Sequence, residues 1–165
     1  MKKLLLLSLL CLVGRGEDVC TSIKANCVLN SQMGPGNVQA VDVNLTASQI
    51  DTLNQIPQGL IAAPGTGKAI AVDSVYCFND FGTVAYGAGT ATLDVRYGSS
   101  TGFLAVSLPN SFVEAADDQL YVAKGGSAVV VSGASVVLAI ETDPATGDGA
   151  LNCRAHYRVI QTDDI

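Results

Sequence analysis

The chain has no tryptophan, a single histidine, His156, and no C-x-x-C spacing among its five cysteines. One histidine removes most zinc sites and most Ser-His or Cys-His mechanisms, which need an imidazole in a defined partnership. Charge is also scarce, at 15% of residues, with nine basic against fifteen acidic side chains for a net charge of -6. No basic stretch stands out, so recognition of a nucleic acid through a cationic face is excluded. Aromatic residues are only 5%. What fills the chain instead is 48% hydrophobic residues, together with 17 glycines and many Ala, Ser, Thr and Val. That is the composition of a compact β protein with tight turns rather than of a helical bundle. A length of 165 residues fits one ordinary domain.

The first residues stand apart. Lys2 and Lys3 precede an apolar run from Leu4 to Val13, broken only by Ser8 and followed by Gly14, Arg15 and Gly16. A basic start, an apolar run and then small residues is the pattern of a secretory signal peptide cleaved near Gly16. The run is shorter than the roughly 20 residues that span a bilayer, so no membrane span is expected. No lipobox precedes Cys11 or Cys20. Residues 1–37 are expected to be a separate arm or leader, ending in the breaker cluster Gly34-Pro35-Gly36-Asn37, and residues 38–165 a β-sandwich domain. Cys20 and Cys27 sit in a polar segment and could close a loop in an oxidising compartment. Cys77 and Cys153 fall in strand-like runs. They are expected to be reduced, small buried hydrophobes, the alternative being a Cys77–Cys153 bridge.

From Val38 the pattern is of short strands. Val41-Asp42-Val43-Asn44-Leu45 alternates apolar with polar. Thr46 and Gln49 have capping-box spacing, and Ile50 and Leu53 lie three apart, which predicts a short helix over 47–54 ended by Pro57. Strands are expected at 60–63, 69–78, 91–97, 103–108, 120–124, 128–131 and 136–141, with a helical turn within 110–116. In the fourth of these expected strands, counting that at 41–45, Leu93, Val95 and Tyr97 share one face and Asp94 and Arg96 the other. In the last strand Leu151, Cys153, Ala155, Tyr157 and Val159 alternate with Asn152, Arg154, His156 and Arg158. One phase is core; the other is polar with three potential cations. Such spacing argues for an all-β, antiparallel sandwich, jelly-roll-like, with one or two short helices.

No residue emerges as catalytic, cofactor-binding or metal-ligating. Gly65-Thr66-Gly67-Lys68 imitates the end of a phosphate loop, but Ala62 and Ala69 stand where that loop needs Gly and Ser or Thr. A turn is the better account. Asp143 and Asp148 lack EF-hand spacing and a closing Glu. Asp117-Asp118 and Asp163-Asp164 are adjacent pairs whose side chains diverge. His156 lies between Arg154 and Arg158, cationic neighbours that would disfavour its protonation. Asn44-Leu45-Thr46 is a glycosylation sequon, relevant only in a eukaryotic secretory host.

The stretches Val41–Ile50, Leu60–Val75 with its Pro64-Gly65-Thr66-Gly67-Lys68, Leu93–Tyr97 and Gly147–Val159 ending in Tyr157-Arg158-Val159 resemble, in order and spacing, head decoration (cement) proteins of tailed bacteriophages. The resemblance covers residues 38–160. It implies a β-sandwich virion protein that binds the major capsid protein on the outer capsid surface, commonly as a homotrimer, without catalysis or cofactor. Residues 1–37 depart from it. The alternative is a secreted or surface β-sandwich that binds a glycan or protein, and a third reading is a secreted enzyme on a similar scaffold.

Overall fold

A computed structural model describes residues 37–87, 92–126 and 129–162. All of these belong to the second of the two units into which the chain divides, Met33–Ile165. The apolar run at 4–13, Cys11, Cys20, Cys27 and Asp163-Asp164 lie outside the described residues. The elements in chain order are β1 (Val38–Leu45), α1 (Ala47–Ile50), β2 (Gln58–Ile61), β3 (Lys68–Asp80), β4 (Leu93–Tyr97), β5 (Leu104–Leu108), α2 (Asn110–Val113), β6 (Gln119–Lys124), β7 (Val136–Ile140) and β8 (Ala150–Gln161).

The strands form two four-stranded antiparallel sheets, a front sheet ordered β1-β8-β3-β6 and a back sheet ordered β2-β7-β4-β5. The expected all-β sandwich is present. Its pairing is nested: β1 with β8, β2 with β7, β3 with β6 and β4 with β5. The two sheets share one apolar core. Leu93, Val95, Cys153, Ala155 and Tyr157 are buried there as alternation predicts, with Val159 half-buried against them. The buried hydroxyl of Tyr97 in β4 donates to the Ile70 carbonyl in β3 at 2.8 Å, a polar tie across the sandwich.

Three expectations change. Cys77 and Cys153, expected to be reduced, form a disulfide. They are register partners on β3 and β8 and both face the core, with Cα atoms 4.1 Å apart. Opposed residues of a non-hydrogen-bonded pair come this close, which brings their sulfurs together. The helix expected over 47–54 stops at Ile50 and continues as turns. Gln49 Oε1 does accept Thr46 N–H at 3.0 Å, the returning half of the capping box. However, Asn54 N–H donates to Asp143 Oδ1 at 2.8 Å instead of to the helix ladder. Finally, residues 129–131 form no strand. Ser132 alone makes a bridge, to Ala69, beside the part of β3 that β6 does not reach. Gly125 ends β6 there, its N–H donating to Asp73 O at 2.8 Å. A Cβ on Gly125 would collide with the Val72 carbonyl oxygen, so only glycine lets the chain leave so close to β3.

Candidate functional site

The outward phases of the front sheet form one continuous surface. Register sets its rows. Asn44, Asn152, Phe78 and Leu120 lie side by side across β1, β8, β3 and β6; Asp42, Arg154, Tyr76 and Val122 form the next row; Ala40, His156, Ser74 and Lys124 the one after. A concavity of about 500 Å³ lies on this face, lined among others by Asp42, Asn152, Tyr76, Phe78, Leu120 and His156. Polarity runs across it. The β1–β8 side carries amides and charges, and the β3–β6 side carries Tyr76, Phe78, Val122 and Leu120, the last two 49% and 65% exposed.

The charges are matched. Arg154 grips Asp42 with Nε at 2.6 Å and Nη2 at 2.8 Å, a two-pronged contact that suits a planar guanidinium. The hydrogen bond from Arg154 holds the Asp42 carboxyl below its ordinary range, against an opposing effect of desolvation. Arg158 grips Asp73 in the same way, reaching Oδ1 with Nη2 at 2.8 Å and Oδ2 with Nε at 3.0 Å. Asp73 is the extra residue of a register shift between Val72 and Ser74, which turns it toward the face of β8. The two arginines of the row expected from β8 are therefore each neutralised by an aspartate. His156, between those arginines, packs its ring 5.3 Å from that of Tyr76. The complementary signs of Asp42 and Arg154 were visible in the sequence, but which strands would be neighbours was not.

The other residues weighed from the sequence serve structure. Gly65 and Gly67 take left-handed conformations (φ 91° and 70°) in the β2–β3 turn, and Lys68 begins β3. Asp148 accepts Thr83 N–H at 2.7 Å, Val84 N–H at 2.8 Å and the Thr83 hydroxyl at 2.6 Å. The Thr83 hydroxyl, then these amides, hold its carboxyl below the ordinary range. Asp143 accepts Asn54 N–H and Gln55 Nε2–H, both at 2.8 Å. The two aspartates of the expected loop thus tie different pairs of loops. Asp118 accepts Phe81 N–H at 3.0 Å, and Asp117 accepts Gln119 Nε2–H at 2.9 Å. Among the described residues no three His, Cys, Asp or Glu side chains gather as metal ligands, and no helix is long and apolar enough to cross a membrane. Burial raises the hydroxyl pKa of Tyr97 and Tyr157, so both stay protonated in the core.

No protein-family model matches the chain, and no curated protein matches it. Among solved structures, the chain is similar to a chain of the cyanophage Pam1 capsid asymmetric unit, with 16% identity over 83% of this chain and 95% of that one and a TM-score of 0.46. It is also similar to a chain of the capsid of Ralstonia phage GP4, with 20% identity over 82% of this chain and 91% of that one and a TM-score of 0.44.

Proposed function

We propose that the chain is a non-enzymatic structural protein of a phage virion, a jelly-roll sandwich that sits on the outside of the capsid and holds neighbouring capsid subunits together. The nested strand pairing supports the jelly-roll description. The observation that carries the role is the open face of the front sheet, where an apolar margin of Phe78, Leu120 and Val122 adjoins polar groups already neutralised in pairs. Such a face can be buried against a protein with little charge left uncompensated. Its partners on this reading are the major capsid protein and copies of itself in a closed ring, a homotrimer. Binding only to the assembled head would raise apparent capsid stability by mass action.

The test is to mix the purified protein with undecorated heads, then to measure co-sedimentation and heat-induced rupture. Sedimentation with the heads and a higher rupture temperature are expected. Failure to sediment overturns the reading.

One observation favours a second reading. The Cys77–Cys153 disulfide suits a protein that matures in an oxidising compartment. On that reading the same face binds a glycan or protein at a cell surface or outside the cell, and a mature form beginning at Glu17 is found in the culture supernatant.

A further inference from the structure

Strand β6 ends the front sheet, with β3 on one side and no strand on the other among the described residues. Which backbone groups face its open side follows from the ladder. Cys77 and Cys153 are close enough, at 4.1 Å between Cα atoms, to be a non-hydrogen-bonded pair. The N–H and C=O of Cys77 therefore point the other way, to its β6 partner Tyr121. The Gly125 N–H bond to Asp73 gives the same phase independently. Tyr121, Ala123 and Gly125 thus turn their backbone groups to β3, while Leu120, Val122 and Lys124 turn theirs to the open edge. The side chains of Leu120 and Val122 are exposed on the outer face beside it. A bare apolar edge of this kind is a template for another strand.

We infer that the occupant of this edge is β6 of a second copy of the chain, antiparallel to the first about a two-fold axis through Tyr121. The choice of axis follows from side-chain complementarity. With Tyr121 opposite itself, Leu120 lies opposite Val122, and Asp118 lies opposite Lys124, each pair made twice by symmetry. Leu120 and Val122 are then a hydrogen-bonded pair, as their outward backbone groups require. Asp118 engages Phe81 N–H through Oδ1, so its second carboxylate oxygen remains for the lysine. An axis through Val122 would instead oppose Leu120 to Lys124. The contact is isologous and closes with two copies. It joins the front sheets of two chains into one, whether those chains are otherwise single or belong to separate rings.

Sedimentation equilibrium of the full chain tests this. The particle should contain an even number of copies, and Val122→Pro should halve its mass. Proline removes the outward N–H while leaving the β3–β6 ladder untouched, so the melting temperature of the halved particle should stay near that of wild type. D118K or K124E alone should weaken association about tenfold, and the two together should restore most of it, because the pair changes sign although Phe81 N–H loses its acceptor. An odd-numbered particle, a monomer, a mass unaffected by Val122→Pro, or no recovery in the double variant overturns the inference.

Discussion

The outer faces of the two sheets begin from the same sequence pattern and end differently. In β8, Arg154 and Arg158 alternate with core residues and emerge on an open face, where Arg154 and its partner Asp42 keep 57% and 59% of their side-chain surface. In β4, Asp94 and Arg96 also alternate with core residues, yet Asp94 is only 2% exposed and Arg96 17%. Arg96 Nε donates to Asp94 at 3.0 Å, and the Thr92 and Ser107 hydroxyls donate to the same carboxylate at 2.8 Å. Arg96 also reaches the Gly102 carbonyl and Glu141. Its neighbour β7 is buried on both phases, from Val136 to Ile140. The back sheet thus closes its polar groups inward as a satisfied network, and the front sheet leaves them available. That contrast is why the front face, and not the back, is the one proposed above to meet a partner.

The largest effect should come from the bond that fixes the front sheet. Cys77–Cys153 joins the two longest strands across a sequence separation of 76 residues. A bridge closing a loop of that order contributes about 4 kcal/mol, chiefly by restricting the unfolded chain. The Cys77→Ala, Cys153→Ala double variant should lose stability on that scale, read as the urea midpoint without reductant. An unchanged midpoint would mean that the two cysteines are unlinked in solution.

Next comes the pair that distinguishes the sheets. Arg96→Ala leaves the Asp94 carboxylate buried beside two hydroxyls with no cation, and should cost about 3 kcal/mol or more. Asp94→Asn with Arg96→Met removes both charges and should recover much of that loss. If Arg96→Ala is as mild as a surface substitution, the back face is open too, and the contrast between the sheets fails.

The same contrast marks where the sequence was readable. Alternation placed Leu93, Val95, Cys153, Ala155 and Tyr157 in one core, because a period of two depends only on the local pleat. It also grouped Asp94 with Arg96, and Arg154 with Arg158. It carried no information on whether the opposite face would be open, since that depends on which strands become neighbours. The choice between free thiols and a Cys77–Cys153 bond went the wrong way for the same reason: the bond needs the β3–β8 register, set by residues far apart in the chain. The strand expected over 128–131 failed because composition alone cannot show that β3 already has β8 along that stretch on one side and only Ser132 on the other. The front face itself was half legible, as an alternating row of polar residues on β8. Its apolar margin was not, because β6 carries apolar residues in both phases, Leu120 and Val122 against Tyr121 and Ala123, and alternation alone does not say which phase is core.

A smaller effect should appear only in acid. Asp148 ties the loop after β3 to the loop before β8, and its amide and hydroxyl donors lower its pKa from the ordinary 3.8. A carboxyl with a depressed folded pKa contributes stability that is present above its unfolded value and is lost as pH falls through the folded one. The urea midpoint of wild type should therefore drop between about pH 5 and pH 2. Asp148→Asn should start lower at neutral pH and follow a flatter acid limb. Parallel curves for the two proteins would show that the front-sheet loop tie does not titrate with unfolding.

The smallest effect is expected where the molecule looks most strongly paired. Arg154 and Asp42 make a short two-pronged contact, and each shifts the other toward its charged form. Both side chains are nevertheless mostly in water, where the attraction is screened and ordering two side chains costs entropy. Arg154→Ala should consequently leave the urea midpoint almost where it was, in contrast to Arg96→Ala on the back sheet. Its consequence should fall on binding instead. Removing Arg154 leaves Asp42 as an unmatched negative charge on the β1 side of the front face, and burying that side against a partner then requires desolvating a lone carboxylate. Head binding by Arg154→Ala should be weaker than wild type, and Asp42→Asn combined with Arg154→Met should recover part of it by removing both charges. A large drop in the midpoint of Arg154→Ala would make the pair structural and remove the difference between the two sheets. Full binding by a stable Arg154→Ala protein would show that this row of the face stays in water when the partner docks.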